Sequence, residues 1–427
     1  MSERLRVETL AAGGDGLARR ADGAAVFIHG GLPGDLWSGA FEPLGRRAFR
    51  LVEAERLEDG PQRTPARCPS RPQCGGCNWH ELERTAAVRA KGDILRGALT
   101  RIAGLEAPLT IEQLTPSEPY DGRYRVGLRV TPSGLAYSGH ASHDAVVWSR
   151  CEALTPRLEV VMKDVSQRLA NLPPGLVSVQ ASLSADGRKC AARLTVIDQL
   201  TRPAIRHLCQ AVVAETALDG AWVGVDHEVI EAGQTRLSGL ISSGVSRRYL
   251  VRGGAFHQAN PTINKSIVQA VVEAAGAGRR TRVVDMHGGA GNFGLALAAK
   301  GADVTISETD PWVFADLEAN AASYRGRGVV HAAEMSGAQA LKRCSRRGRV
   351  DVAVFDAPRT GDPSGAKAVA EIRPKRVVAL GCDPSTFARD LQAMGLGRGY
   401  RLERLGLWDA FPQTHHFESL AVLECVS

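Results

Sequence analysis

The stretch Arg282–Pro311, RVVDMHGGAGNFGLALAAKGADVTISETDP, constrains the fold of this chain more than any other. Val283-Val284-Asp285 ends a run of buried-strand character. Gly289, Gly291 and Gly294 then permit a tight turn, and Phe293–Ala299 continues as an apolar helix. A nucleotide-like ligand belongs at that helix N-terminus. Gly289-Ala290-Gly291-Asn292-Phe293-Gly294 matches the dinucleotide fingerprint, and Glu308 follows about twenty residues on, where an acid that binds a ribose belongs. The glycines alone do not separate NAD from S-adenosylmethionine. Asp285 tilts the reading to the second, because its carboxylate opposes a pyrophosphate at the turn and suits a cationic methionine end. An NAD oxidoreductase would also need a hydride-transfer site, which no stretch of the chain supplies.

Around this unit, strands and helices alternate. The pattern predicts helix Pro261–Ala275, strand Arg282–Met286, helix Asn292–Lys300, strand Asp303–Glu308 and helix Pro311–Tyr324. Strands Gly328–His331, Asp351–Asp356 and Val377–Gly381 follow. That order specifies an α/β fold, a Rossmann-like doubly wound parallel sheet, over residues 257–427. Ligands of such sheets bind beyond the strand carboxyl ends, and Asp285, Glu308, Asp356 and Cys382 all fall there.

A chain of 427 residues is too long for one ordinary core, so two or three domains are expected. Residues 1–54 carry short alternating runs punctuated by Gly13-Gly14, Gly30-Gly31 and Pro33-Gly34, as a small β-barrel would. The pattern GGDGLARRADGAAVFIHGGLPGD resembles a TRAM domain, an OB-like barrel that holds RNA. Residues 55–256 mix strand runs (Arg125–Val130, Val177–Leu183, Ala191–Ile197, Ala221–Val225) with helices (Arg157–Leu172, Pro203–Thr216) and read as a central α+β domain. Leu82–Leu105 has helical spacing, and its packing against the catalytic domain is left open. No stretch approaches the roughly 18 apolar residues of a membrane span. The N-terminus lacks the apolar run of a signal peptide, so a cytoplasmic protein without a membrane partner is expected. The net charge is +7, and 45 of the 53 basic residues are Arg, whose planar fork suits phosphates and base stacking.

Nine cysteines in a cytosolic chain point to metal binding or catalysis rather than disulfides. Cys68, Cys74 and Cys77, in ARCPSRPQCGGCNWHEL, bring three thiols to one loop. A fourth ligand is needed, from His80 or a distant cysteine, and Cys151 is the attractive thiol. Spacing alone leaves a structural zinc and a [4Fe–4S] cluster equally open. Cys382 stands directly after a strand and ahead of a helix beginning near Ser385, whose amide dipoles are expected to favour a thiolate nucleophile. Glu418, just before the last strand Ser419–Cys425, is a candidate general base. His415 and His416, adjacent in an extended segment, are expected to point to opposite faces, which argues against a metal pair.

Five stretches, FHQANPTIN, DMHGGAGNF, FDAPRTG, GCDPSTFARDL and FPQTHHFES, together resemble the RNA (uracil-5-)-methyltransferase family, and the cysteine pattern matches its large-subunit ribosomal RNA branch. The resemblance implies a class I S-adenosylmethionine-dependent methyltransferase fold and a base-flipping enzyme. The thiolate matching Cys382 adds to carbon 6 of uracil, carbon 5 takes the methyl group, and the carboxylate matching Glu418 removes the carbon 5 proton. Gln258, His287, Asn292, Glu308 and Asp356 match cofactor-pocket residues. Cys68, Cys74, Cys77 and Cys151 match the ligands of a [4Fe–4S] cluster. The implied partner is 23S-type ribosomal RNA, and the expected state is a monomer. The same chemistry on transfer RNA and a non-catalytic RNA-binding relative are the alternatives. The chain departs from the family pattern at His287, Gly288, Ala357, Gly381 and Asp383, which implies looser packing around the cofactor and an altered hold on the thiol.

Overall fold

The apolar runs beyond residue 280 become the middle strands of an eight-stranded sheet. The computed structural model describes residues 3–71, 73–106, 109–140, 142, 144–226, 228–242, 246–255 and 257–426. In spatial order the strands are Val329–Glu334, Asp303–Glu308, Arg282–Asp285, Val352–Asp356, Arg376–Gly381, Glu418–Cys425, Tyr400–Asp409 and Gln113–Pro116. The first five run parallel, and Glu418–Cys425 lies antiparallel to Arg376–Gly381. Val283, Val284, Val354, Phe355 and Val378 are almost wholly buried, as strands covered on both faces must be. Ile267, Val271, Ala296 and Leu317 cover one side, and Leu95, Leu99, Leu341 and Leu391 the other. The strand order reverses between Arg282–Asp285 and Val352–Asp356, so the crevice of this sheet opens at their carboxyl ends.

Residues 55–256 do not form one packed unit. The helix read over Leu82–Leu105 spans Arg84–Arg101 and packs its Ile94, Leu95 and Leu99 into the core of the C-terminal sheet. Its Lys91, fully buried, donates to Asp409 Oδ1 at 2.5 Å and to the Phe411 carbonyl at 3.0 Å, and Arg84 also pairs with Asp409. Strand Gln113–Pro116 extends the C-terminal sheet beside Tyr400–Asp409. The hairpin Arg236–Ser242 and Ser246–Arg252 is likewise tied to the C-terminal unit. Arg252 and Arg236 both pair with buried Asp316, and Asn320 clasps the Leu250 backbone. These segments are too short to bury their own apolar faces, so they add to the larger sheet.

What remains is a seven-stranded sheet, ordered Ala145–Val147, Gly134–Ser138, Arg125–Thr131, Leu176–Leu183, Cys190–Val196, Gly220–Val225 and Glu228–Gly233. Helices Pro156–Arg168 and Arg202–Glu215 bury Leu158, Val161, Leu208 and Val212 against one face. The other face carries Arg125, Gly127, Arg129 and Gln180, none of them buried.

The N-terminal residues form a six-stranded sheet around Leu5, Val7, Ala18, Val26, Ile28, Trp37 and Leu51. Its last strand, Ala48–Glu58, carries the unit past residue 54. Asp35, fully buried, accepts from the Leu32 and Gly60 amides and from the Arg63 guanidinium, fixing the barrel to the chain that leads into the cysteine loop.

Candidate active site

The glycine turn is held from beneath. Asp285 is fully buried, and its Oδ2 accepts from the Gly294 amide at 2.8 Å. Its Oδ1, also buried, has no hydrogen-bond partner among the described residues. Burial, with Asp356 adding, raises the Asp285 pKa to about 7. Gly289 and Gly291 adopt φ of 56° and 108°, backbone that only glycine takes without strain. Gly288 is required sterically, since a Cβ there would lie 2.1 Å from Ile306 Cγ2. The departure from the family pattern at Gly288 is thus matched to Ile306.

The other expected cofactor residues surround this turn. One pocket is lined by Gln258, His287, Gly288, Asn292 and Asp356, with Tyr249 and His257 closing it. Asn292 exchanges two amide hydrogen bonds with Asn264, at 3.0 and 2.9 Å, which clamps the turn to helix Pro261–Ala275. Glu308 ends its strand with Oε1 accepting from the Thr309 and Asp310 amides. His287 lies edge-on to Phe355 at 5.5 Å and its Nε2 meets Asp362 Oδ2 at 3.0 Å, so the pocket is closely packed there. The looser packing expected from His287 is not what the fold shows. Asn264 sits inside the stretch FHQANPTIN, yet nothing in the sequence ties it to Asn292; Phe256, which opens that stretch, lies outside the described residues.

Cys382 and Glu418 meet because of strand register. The antiparallel ladder ends with Gly381 opposite Ser419; Cys382 follows the first and Glu418 precedes the second, so the two stand side by side. They line one cleft of about 460 Å³ with Arg123, Arg125, Arg359, Phe411 and His416. His257 and Gln258 line both this cleft and the pocket beside the glycine turn, so the two share a wall.

The electrostatics correct one expectation. Burial, with Glu418 and Asp356 adding, raises the Cys382 pKa to about 12, so the resting group is a thiol. The helix amides that were expected to favour a thiolate go instead to Asp383, whose Oδ1 accepts from the Ser385 and Thr386 N–H groups. Arg359 opposes the rise and is the cation that favours thiolate formation. Burial raises Glu418 to about 8, with Asp356 contributing, and raises Asp356 to about 6, against the pull of His287. Gly381 is fixed by Phe387, which a Cβ would approach to 2.7 Å.

His415 and His416 also differ from expectation. They lie in a turn rather than a strand, with ring centroids 4.0 Å apart. Asn78 binds both the ring and the backbone amide of His415. Burial lowers the two pKa values to about 4 and about 3, so both rings are neutral.

The cysteine loop lies against strand Gly134–Ser138 through a bridge between Cys74 and Gly139. Cys68, Cys74 and Cys77 each have their pKa raised by burial first and by Cys151 among their neighbours, Cys77 to about 11. Burial, with Arg71 and Arg123 adding, lowers the His80 pKa to about 4. Among the described residues no group of three or more His, Cys, Asp or Glu side chains is drawn together tightly enough to hold a metal ion.

A family model described as tRNA (Uracil-5-)-methyltransferase matches residues 239–426. A 23S rRNA (uracil(1939)-C(5))-methyltransferase of Halomonas elongata is 30% identical over 98% of this chain and 89% of its own length. Its counterpart in Pseudomonas entomophila is 29% identical over 99% and 93%. A Pyrococcus abyssi tRNA (uracil-54, C5)-methyltransferase, solved in complex with S-adenosyl-L-homocysteine, superposes with a TM-score of 0.72 at 18% identity, covering 99% of this chain and 100% of that one. The fold is therefore that of the S-adenosylmethionine-dependent methyltransferases. Across nearly its whole length, this chain belongs to the RNA (uracil-5-)-methyltransferase family, in its ribosomal RNA branch.

Proposed function

We propose that the chain transfers a methyl group from S-adenosylmethionine to carbon 5 of one uridine in large-subunit ribosomal RNA, through a covalent bond to Cys382. The observation that carries this reading is the end of the ladder at Gly381 and Ser419, which sets a thiol beside a carboxyl group in a basic cleft that adjoins the cofactor pocket. The cofactor test is electrostatic. Asp285 has an orphaned buried oxygen, and Asp356 and Glu308 both act on it. A cationic sulfonium suits that acidic surround and a pyrophosphate does not. Gln258, His287, Asn292, Glu308 and Asp356 are the residues that hold the cofactor. Bound, it supplies an electrophilic methyl group.

The protein's own groups do the rest. Cys382 gives up its proton to water in the open cleft, a loss that Arg359 favours, and the sulfur then forms a bond to carbon 6 and pushes the electron pair of the 5,6 double bond towards carbon 5. Once carbon 5 is methylated, the Glu418 carboxylate takes its proton. The electron pair re-forms the double bond and expels the sulfur. Burial raises the Glu418 pKa to about 8, so the ionised fraction of this group takes the proton, and a base of that pKa also returns it readily. His257 and Gln258, on the shared wall, border the path from the cofactor to the base.

Cys68, Cys74, Cys77 and Cys151 are the proposed ligands of a [4Fe–4S] cluster. Cys151 acts on the thiols of Cys68, Cys74 and Cys77, which supports it as the fourth ligand among them. The N-terminal sheet is proposed as a TRAM-like RNA-holding barrel, and the working state as a cytoplasmic monomer. Among the described residues no helix is long and apolar enough to cross a membrane.

The test is to map 5-methyluridine in total RNA from cells with and without the chain. The expected result is the loss of one 5-methyluridine from large-subunit ribosomal RNA. Loss from transfer RNA alone, or no loss, overturns the reading.

A further inference from the structure

A second cleft, also of about 460 Å³, lies beside the catalytic one on the uncovered face of the seven-stranded sheet. It runs past Gly127 to the glycines Gly75 and Gly76 of the cysteine loop. The two share Gly127, Tyr137 and Gln180, and each falls in the size range of small-ligand sites, about 300–1,000 Å³.

Strand pairing explains the shape. Along Arg125–Thr131, residues 125, 127 and 129 share one face. Gln180 pairs with Gly127, while Ser178 and Ala136 flank Arg129 on either side. The floor is therefore glycine, alanine and serine. Arg125 lines the catalytic cleft and Arg129 the second, about 13 Å apart by the rise of a strand. Gln180 Cγ lies 3.7 Å from where a Cβ on Gly127 would be, so its side chain crosses the boundary between the clefts. Its amide makes no hydrogen bond among the described residues. Among the described residues Glu418 is the one acid lining either cleft, against Arg123, Arg125, Arg129 and Arg359.

We propose that the second cleft seats the base of a nucleotide neighbouring the target uridine, unstacked along with it, and that Gln180 reads the edge of that base. This rests on the reading of the chain as an RNA methyltransferase. Physically, an amide offers a donor and an acceptor in one plane and so pairs with two atoms of a base edge. Proteins read single-stranded RNA by such contacts to splayed bases. Drawing out one uridine breaks stacking on both of its sides, and a seat for the neighbour offsets part of that cost. The arginine row suits the connecting phosphates.

The test uses the full chain and Gln180→Leu, which keeps the volume and removes the hydrogen bonds, with equal melting temperatures as the check on folding. The probe is a ribosomal RNA oligonucleotide carrying the uridine that the wild type methylates, with one abasic nucleotide moved along both flanks. Gln180→Leu should weaken binding of the intact RNA about fivefold to tenfold. One flanking abasic position should weaken wild-type binding by as much, and the variant should then lose nothing more at that position. Equal losses by the variant at every abasic position, or none on intact RNA, overturn the proposal. If the wild type methylates no ribosomal RNA, the preceding reading fails by itself. The cleft is then judged on mixed-sequence single-stranded RNA against the same RNA made abasic: Gln180→Leu must weaken only the former.

Discussion

Replacing Glu418 by Gln tests whether this carboxyl group is held neutral by its surroundings. Burial, with Asp356 behind it, moves the pKa from 4.5 to about 8, which corresponds to roughly 5 kcal/mol of resistance to ionisation. The sign follows from linkage. In the unfolded chain Glu418 ionises above about 4.5, and in the fold it does so only near 8, so its contribution is present at low pH and is lost as pH rises through that window. Glutamine does not titrate. At pH 5 the variant should be no more stable than the wild type, because an amide in the same place costs about 1–3 kcal/mol if imperfectly paired. By pH 9 the balance should have moved in its favour by several kcal/mol, with roughly 5 kcal/mol as the ceiling. Trp408, buried and paired in register with Glu418, reports urea unfolding by its fluorescence. A difference between the two proteins that stays constant from pH 5 to pH 9 refutes the argument. The same variant should have lost methyl transfer at every pH, so the group that weakens the fold at high pH is the one the reaction needs.

Three other outcomes are expected. Lys91→Met leaves Asp409 buried with Arg84 as its remaining cation and should cost about 3 kcal/mol or more in urea unfolding; an unchanged midpoint contradicts the role given to this pair. Gly288→Ala forces a Cβ against Ile306 and should cost about 1–3 kcal/mol together with a weaker calorimetric signal for S-adenosylhomocysteine; wild-type affinity and stability would show that the turn yields freely. Anaerobically purified protein should be brown and hold about four irons and four sulfides per chain, and Cys151→Ser should lose them; stoichiometric zinc without visible absorption rejects the cluster.

The inner parallel strands were legible because burial on both faces leaves unbroken apolar runs, and Asp303–Glu308, which alternates polar and apolar residues, is read at its observed bounds. The edge was not. Tyr400–Asp409 alternates arginine and glutamate with leucine, and Gln113–Pro116 has meaning only once it pairs beside that strand. Helices Gly337–Ser345 and Pro363–Ile372 escaped as well, one rich in polar residues and the other in small ones. At the site, Cys382 and Glu418 were legible as types, but their meeting depends on a register that no spacing reveals. Asp362 reaches His287 from 75 positions away. The capping role of Asp383 was visible in Asp-Pro-Ser-Thr, a common helix start. That cap occupies the amides that would otherwise face Cys382.

The central claim is the covalent bond from Cys382, and RNA carrying 5-fluorouridine at the target tests it, because fluorine on carbon 5 leaves Glu418 no proton to remove. With S-adenosylmethionine present, a denaturation-resistant protein–RNA adduct should form, and peptide mass spectrometry should place it on Cys382. No adduct with the wild type, or the same adduct with Cys382→Ala, contradicts the account.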